Sequence, residues 1–223
     1  MKFIAKSNFD RRYETIFGNI LKNDPLIEII ELNTKRKNII YDVGASHGAY
    51  SIYLGHKKSN YLIYSFEPLN SSYQQLIEHI ALFKLQKKVI ANNIALSDTC
   101  VKKTFYWSFD YARSSLLEFN ATSNNNNVIQ NVVVQCDTID RLVTFENYFP
   151  PDIIKIDVEG HEYEVLKGAE QVIKKWKPKI FFEPHTIYNE ASKLTESSEN
   201  AVKEYLSQYG YNFKSLGYPI FCY

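Results

Sequence analysis

Four short apolar runs in this chain each close on a carboxylate: IIYDV (39–43) at Asp42, YLIYSF (61–66) at the following Glu67, DIIKID (152–157) at Asp157 and KIFFE (179–183) at Glu183. Runs this short, rich in Ile, Tyr and Phe and without a polar alternate face, suit strands covered on both sides. Helical periods lie between them. GAYSIYLGHK follows the first run, a stripe of Leu69, Tyr73, Leu76, Ile77 and Ile80 follows the second, and Val165, Leu166, Ala169, Val172, Ile173 and Trp176 share one helical face after the third. Strand and helix in alternation, with short connections, predict an α/β fold with a doubly wound, mostly parallel sheet.

The remaining segments fit around that sheet. VIANNIAL (89–96) reads as one further strand, ending near Ser97 and Asp98. From Ser97 to Gln135 the rhythm changes, and KKTFYWSF and VIQNVVVQC alternate around Asn124 to Asn127 as an inserted antiparallel hairpin would. A last helix is expected over Ala201 to Tyr209, stopped by Gly210, with YNFK and PIFCY as a terminal hairpin. At the other end, Tyr13, Ile16, Phe17, Ile20 and Leu21 make a helical stripe. NDPLIEII starts a second helix, with Asp24 as cap and Pro25 in the first position. The polar stretch NTKRKN then divides a helical extension, 1–38, from an α/β domain, 39–223.

Composition removes several function classes. The 26 Lys and Arg nearly cancel the 25 Asp and Glu, so no global positive field marks a nucleic-acid or membrane binder. Cys100, Cys136 and Cys222 are odd in number and widely spaced, which suits packed, reduced thiols better than a disulfide framework. MKFIAKSNFD lacks the apolar core of a signal peptide, and no apolar run reaches bilayer length. A cytoplasmic protein is the expectation.

In an open parallel sheet, ligands bind at the carboxyl ends of the strands, where this chain's unusual polar residues fall. Gly44 and Gly48 in DVGASHG let the backbone turn sharply between strand and helix. Glu67 then stands where an acid bonds the ribose of a nucleoside. The three-glycine pyrophosphate pattern is incomplete, and Asp42 beside the loop suits a cation better than a diphosphate. S-adenosylmethionine carries ribose, ammonium and sulfonium but no phosphate. That ligand is favoured over NAD or ATP.

The motifs IIYDVGASHGAYS, YSFEP, NNIALSD, VVVQCDTIDRL, IIKIDVEGHEYEVLKGA and IFFEPHT, in this order over Ile39 to His185, resemble the FkbM-type methyltransferases. The resemblance implies a Rossmann-like class I sheet of seven strands with an antiparallel last strand. It also implies S-adenosylmethionine as cofactor, and O-methylation of a hydroxyl on a sugar or small metabolite. By position Asp42, Gly44, Ala45, Ser46 and Gly48 would hold the methionine part, Glu67 and Pro68 the ribose, and Ala95, Leu96 and Ser97 the adenine. Asp157 would lie beside the methyl group. Ser46 and His47 depart from the family's usual loop.

An alcohol is a weak nucleophile at neutral pH, so a positioned base or a metal is needed. Asp157, Glu159 and His161 are the candidate catalytic residues, while Glu162 and Glu164 are explained by a helix N-terminus that favours negative charge. Asp157, Glu183 and His185 are the candidate ligands for a divalent cation such as magnesium. Glu183 as a simple cap and His185 as an exposed side chain is the structural alternative. His56 and His79 fall on helices away from this edge, and His79 reads as solvated. Arg113, Ser114 and Ser115, with Tyr106, Trp107, Phe109 and Tyr111 nearby, suit either a sugar-like acceptor or a core beneath the hairpin. A small-molecule or saccharide hydroxyl acceptor is expected, with no nucleic acid and no membrane partner. Methylation of nucleic acid or protein is the alternative, although no NPPY-type motif is present and FPPD precedes its strand. A non-catalytic interaction subunit is the other.

Overall fold

The computed structural model describes residues 8–18, 21, 24–32, 38–57, 59–108, 114–118, 128–189, 194–217 and 219–223. Its main sheet has seven strands: β1 (Asn38–Val43), β2 (Tyr61–Phe66), β3 (Val89–Asn92), β7 (Ile153–Ile156), β8 (Lys179–Phe182), β11 (Phe213–Ser215) and β12 (Ile220–Cys222). They lie in the order β11-β12-β8-β7-β1-β2-β3. Pairing from β3 across to β8 is parallel, and β12 runs antiparallel to both β8 and β11. The last strand in the chain is thus the reversed one.

Strand alternation divides the core into two layers. Tyr41, Val43, Ile154 and Ile156 pack with α5 (Ile139–Phe145), α6 (Glu162–Lys167), α7 (Glu170–Trp176) and α8 (Ser198–Ser207), whose Leu142, Val165, Ile173 and Leu206 are buried. Ile40, Ile63, Ile153 and Phe181 face the other way, onto α1 (Asn8–Phe17), α2 (Pro25–Leu32), α3 (Ala49–Lys57) and α4 (Asn70–Leu82). Tyr13, Phe17, Leu26 and Ile30 belong to that second layer, so the N-terminal helices share a core with the sheet. Among the described residues, no helix is long and apolar enough to cross a membrane.

Three sequence expectations change. VIANNIAL is not one strand: it leaves the main sheet after Asn92, and β4 (Ala95–Leu96) pairs with β6 (Val128–Asp137) instead. Asn93 sits at the turn, its amide donating to the carbonyls of Glu67 and Pro68. The expected hairpin is β5 (Lys102–Ser108) against β6, which continues to Asp137 and with β4 forms a second sheet. Asn124 to Asn127, Phe109, Tyr111 and Arg113 lie outside the described residues. The helix drawn through Val165 to Trp176 is two helices, α6 and α7. A Cβ on Gly168 between them would meet the Ser97 carbonyl oxygen at 2.0 Å, and Trp176 is 40% exposed. The last helix starts at Ser198, three residues before the expected Ala201, capped by the Ser197 hydroxyl. A short antiparallel pair, β9 (Thr186–Asn189) and β10 (Leu194–Ser197), precedes it.

Candidate active site

The site grows from a row of polar residues across the sheet. Ser65, Asp42 and Lys155 sit side by side in the register of β2, β1 and β7, on the face toward α1–α4. Their neighbours along each strand are apolar and buried, so the row must satisfy itself. Ser51 of α3 donates to Asp42 Oδ2 at 2.6 Å and lies 2.7 Å from Ser65 Oγ. Lys155 Nζ stands 3.3 Å from Asp42 Oδ1 and 3.4 Å from Asp157 Oδ2, and donates to the Gly44 carbonyl at 3.2 Å. Burial works against its charge, but the carboxylates of Asp42 and Asp157 reverse that and raise its pKa above the ordinary lysine value. The ammonium also lies 4.9 Å from the centre of the Tyr50 ring. Tyr50 in turn donates to Asp24, whose other oxygen caps Leu26 at the start of α2. Sequence reasoning missed Lys155, though a lysine inside an apolar strand was the available signal.

The β1–α3 loop closes over this row. Gly44 has φ +76°, and a Cβ there would sit 1.8 Å from the Asp157 carbonyl oxygen, so only glycine lets the two strand ends meet. The Ser46 N–H donates to Glu67 Oε2 at 2.9 Å, and Leu69 N–H donates to Oε1 at 2.8 Å. Burial pushes the Glu67 carboxyl up to about 7 in spite of both donors. Each of its oxygens keeps a lone pair for another donor.

At the ends of β7 and β8 the acids converge. Glu183 is pushed up first by burial and then by the charge of Asp157. Glu159, at φ +54° in the left-handed region, is followed by Gly160 at +99°, a strained turn that the Ser115 hydroxyl pins by donating to the Glu159 carbonyl. His185 lies behind it. Its Nδ1 is 2.9 Å from Glu162 Oε1, and its Nε2 is 3.4 Å from Glu159 Oε1 and 3.8 Å from Asp157 Oδ1. Burial lowers its pKa, but Glu159 and Glu162 outweigh that and raise it to about 11. Glu162, assigned above to the helix start alone, is fully buried as this partner. Burial and the nearby Lys103 hold His161 down at about 4; its Nε2 lies 3.0 Å from Ser97 Oγ and its Nδ1 3.5 Å from Glu164.

These pieces enclose a cavity of about 980 Å³. A family model for the FkbM methyltransferase domain matches residues 42–213. The chain belongs to the FkbM methyltransferase family. Among solved structures, a methyltransferase FkbM from Methylobacillus flagellatus KT has a TM-score of 0.58 at 16% identity, covering 86% of this chain and 44% of that one. The chain therefore spans less than half the length of that protein. A precorrin-6y C5,15-methyltransferase from Geobacter metallireducens GS-15 has a TM-score of 0.47 at 12% identity, covering 88% of this chain and 84% of the other. No protein of curated function matches the chain. The fold is the Rossmann-like one of methyltransferases.

With the family in hand, the expected residues can be placed. Gly44, Ala45, Ser46, Glu67, Pro68, Ala95, Leu96, Asp157, Glu159, His161 and Glu183 line the cavity. Four expected residues stand outside its lining. Asp42 is buried behind the loop as the partner of Lys155, Gly48 packs toward Leu76 of α4, Ser97 is buried against His161, and His185 sits behind Glu159. His79, read as solvated, does line it. The cofactor that the family implies fits these residues: Glu67 has acceptor capacity to spare, Ile94, Ala95 and Leu96 offer apolar wall, and the acids suit positive charge. The metal triad fits less well. Asp157, Glu183 and His185 offer ligand atoms within 4.8 Å of one another, yet Glu159 and Glu162 hold on the imidazole a proton that a metal ion would have to displace.

Proposed function

We propose that the protein binds S-adenosylmethionine in this cavity and directs its methyl group to a hydroxyl oxygen of a saccharide or other small acceptor. The observation that carries the reading is the carboxyl pair at adjacent strand ends, Asp157 and Glu183, both in the cavity wall, with Glu183 held well above the ordinary carboxylate range. Such a carboxylate is matched to accept a proton near neutral pH, which an attacking alcohol has to lose.

Glu67 would take the ribose hydroxyls, the main chain of Gly44 to Ser46 the methionine part, and Ala95 and Leu96 the adenine. When bound, the cofactor supplies an electrophilic methyl group on a sulfonium. Glu183 Oε takes the acceptor's proton, and Asp157, paired with Lys155, orients the hydroxyl. His161, held neutral against Ser97, fixes the turn that carries Glu159. His185 keeps its charge for Glu159 and Glu162, which favours proton transfer to Glu183 over activation by a metal ion.

The test is incubation with cofactor labelled in the methyl group and a panel of saccharides and hydroxylated metabolites, read by mass spectrometry. A gain of one methyl on an acceptor oxygen is expected. Transfer to nitrogen or carbon would overturn the hydroxyl reading, and failure of the folded protein to bind the cofactor would overturn the whole of it.

A further inference from the structure

Two imidazoles in the cavity wall have no part in that chemistry. His47 follows Ser46 on the β1–α3 loop, His79 stands in the last turn of α4, and both line the cavity with their ring centres 6.2 Å apart. Their positions are built. Phe17 of α1 packs against both rings, at 5.4 Å and 4.9 Å between centres. His79 Nδ1–H donates to the His47 carbonyl at 2.7 Å, and Ser46 Oγ lies 3.1 Å from His47 Nδ1, so both Nε2 atoms lie outside these bonds. Ser72 and Gln75, on the same face of α4 as His79, line the cavity beside them.

We infer that His47 and His79 form a carboxylate-binding subsite of this cavity. The inference rests on the cofactor reading, because S-adenosylmethionine brings a carboxylate on its methionine tail, and an acidic acceptor such as a uronic acid would bring the same group. Four of the described lining side chains can carry positive charge: Lys155, His161, His47 and His79. Lys155 is committed to Asp42 and Asp157, and His161 is held neutral against Ser97. Glu67, Asp157, Glu159 and Glu183 repel an anion. The histidine pair is what remains.

The surroundings leave room for a charge to form on it. On α4, His79 is the group whose charge acts on His47, and Glu78 is exposed. On α1 stand Asp10, Arg11, which donates to Asn8, Arg12, which reaches the Leu82 carbonyl, Glu14, and Tyr13, bonded to the Ala49 carbonyl. On α3, Tyr50 is bonded to Asp24, and Glu67, directly after β2, accepts from Ser46 and Leu69. Burial, and then His79, lowers the pKa of His47 in the free protein. An arriving carboxylate reverses that, so binding takes up a proton and weakens as pH rises.

The experiment is calorimetry with S-adenosylhomocysteine and with its decarboxylated counterpart, from pH 6 to 8 in buffers of different ionisation enthalpy. The counterpart subtracts any proton released at Glu67. Relative to it, S-adenosylhomocysteine should take up a proton, with affinity falling by up to about tenfold per pH unit. His47→Gln and His79→Gln should each erase about tenfold of the preference for the carboxylate-bearing compound, the worth of one charge-assisted hydrogen bond. Proton uptake by the unmodified protein supports the subsite even where a variant folds poorly. A second arm titrates glucuronate against glucose into protein saturated with S-adenosylhomocysteine. Histidine dependence there and not in the first arm assigns the carboxylate to the acceptor. If S-adenosylhomocysteine binds and neither arm shows proton uptake or histidine dependence, the subsite is overturned. If S-adenosylhomocysteine does not bind folded protein, the cofactor reading fails, and glucuronate against glucose titrated into the protein alone decides the subsite: histidine-dependent proton uptake supports it and none overturns it.

Discussion

Replacing Lys155 by Met keeps much of the side-chain volume and deletes the ammonium between Asp42 and Asp157. Asp42, 1% exposed, is then left with the Ser51 hydroxyl and a bare Oδ1. Removing one partner of a buried ion pair costs about 3–5 kcal/mol, and the added apolar burial offsets about 1 kcal/mol. A net loss of roughly 2–4 kcal/mol follows, or roughly 5–15 °C in Tm for a chain of this size. In the parent the lysine pKa is raised above its unfolded value, so its contribution is complete at every pH below that value and is lost only in strong alkali. Adding Asp42→Asn removes the stranded charge, and the double variant should recover to within about 1 kcal/mol of the parent. Urea denaturation at pH 7.5 reads both variants. A single variant within about 1 kcal/mol of the parent at pH 7.5, or a double variant no better than the single, would refute the neutralising role.

Three other outcomes are expected. His161 has a folded pKa of about 4, below its unfolded value, so its stabilising effect is full above about 6.5 and fades as pH falls toward 4, by roughly 3 kcal/mol in all. His161→Gln should flatten that acid limb, and a ring titrating by NMR near 6.5 would contradict the assignment. Glu183→Gln should lower turnover by about 10² to 10⁴ while S-adenosylhomocysteine still binds, and chelators should leave parent turnover intact. Parent activity should rise with pH as Glu183 loses its proton, and loss of activity on chelation would restore the metal reading. Gly168→Ala drives a Cβ against the Ser97 carbonyl and should cost about 3 kcal/mol or more by thermal denaturation; a neutral change would mean that α6 and α7 separate for another reason.

The sheet was legible because each central strand is a short apolar run flanked by a helical stripe, and local pattern and tertiary role agree there. Disagreement came where a distant contact decided. Nothing local in LKGAE predicts a break in the helix, since Gly168 is forced by the Ser97 carbonyl on the far side of the core. The split of VIANNIAL depends on Asn93 finding the carbonyls after β2. At the site, strand ends located Glu67, Asp157 and Glu183, because polar residues closing apolar runs are costly without a task. Period alone could not tell which acids face the cavity: Asp42 turned to Lys155, its register neighbour, and Glu162 to His185, 23 residues away. His79 looked solvated because its helix reads as lying away from this edge, and only the packing of α1 and the β1–α3 loop turns it inward.

The most direct measurement is calorimetric titration of the folded parent and of Glu67→Ala with S-adenosylmethionine. The account predicts one site per chain in the parent. Affinity should be about tenfold or more weaker in the variant, because ribose hydroxyls lose a charged acceptor worth roughly 1.5–3 kcal/mol per hydrogen bond. No binding heat in folded parent, or equal dissociation constants for parent and folded variant, would contradict it.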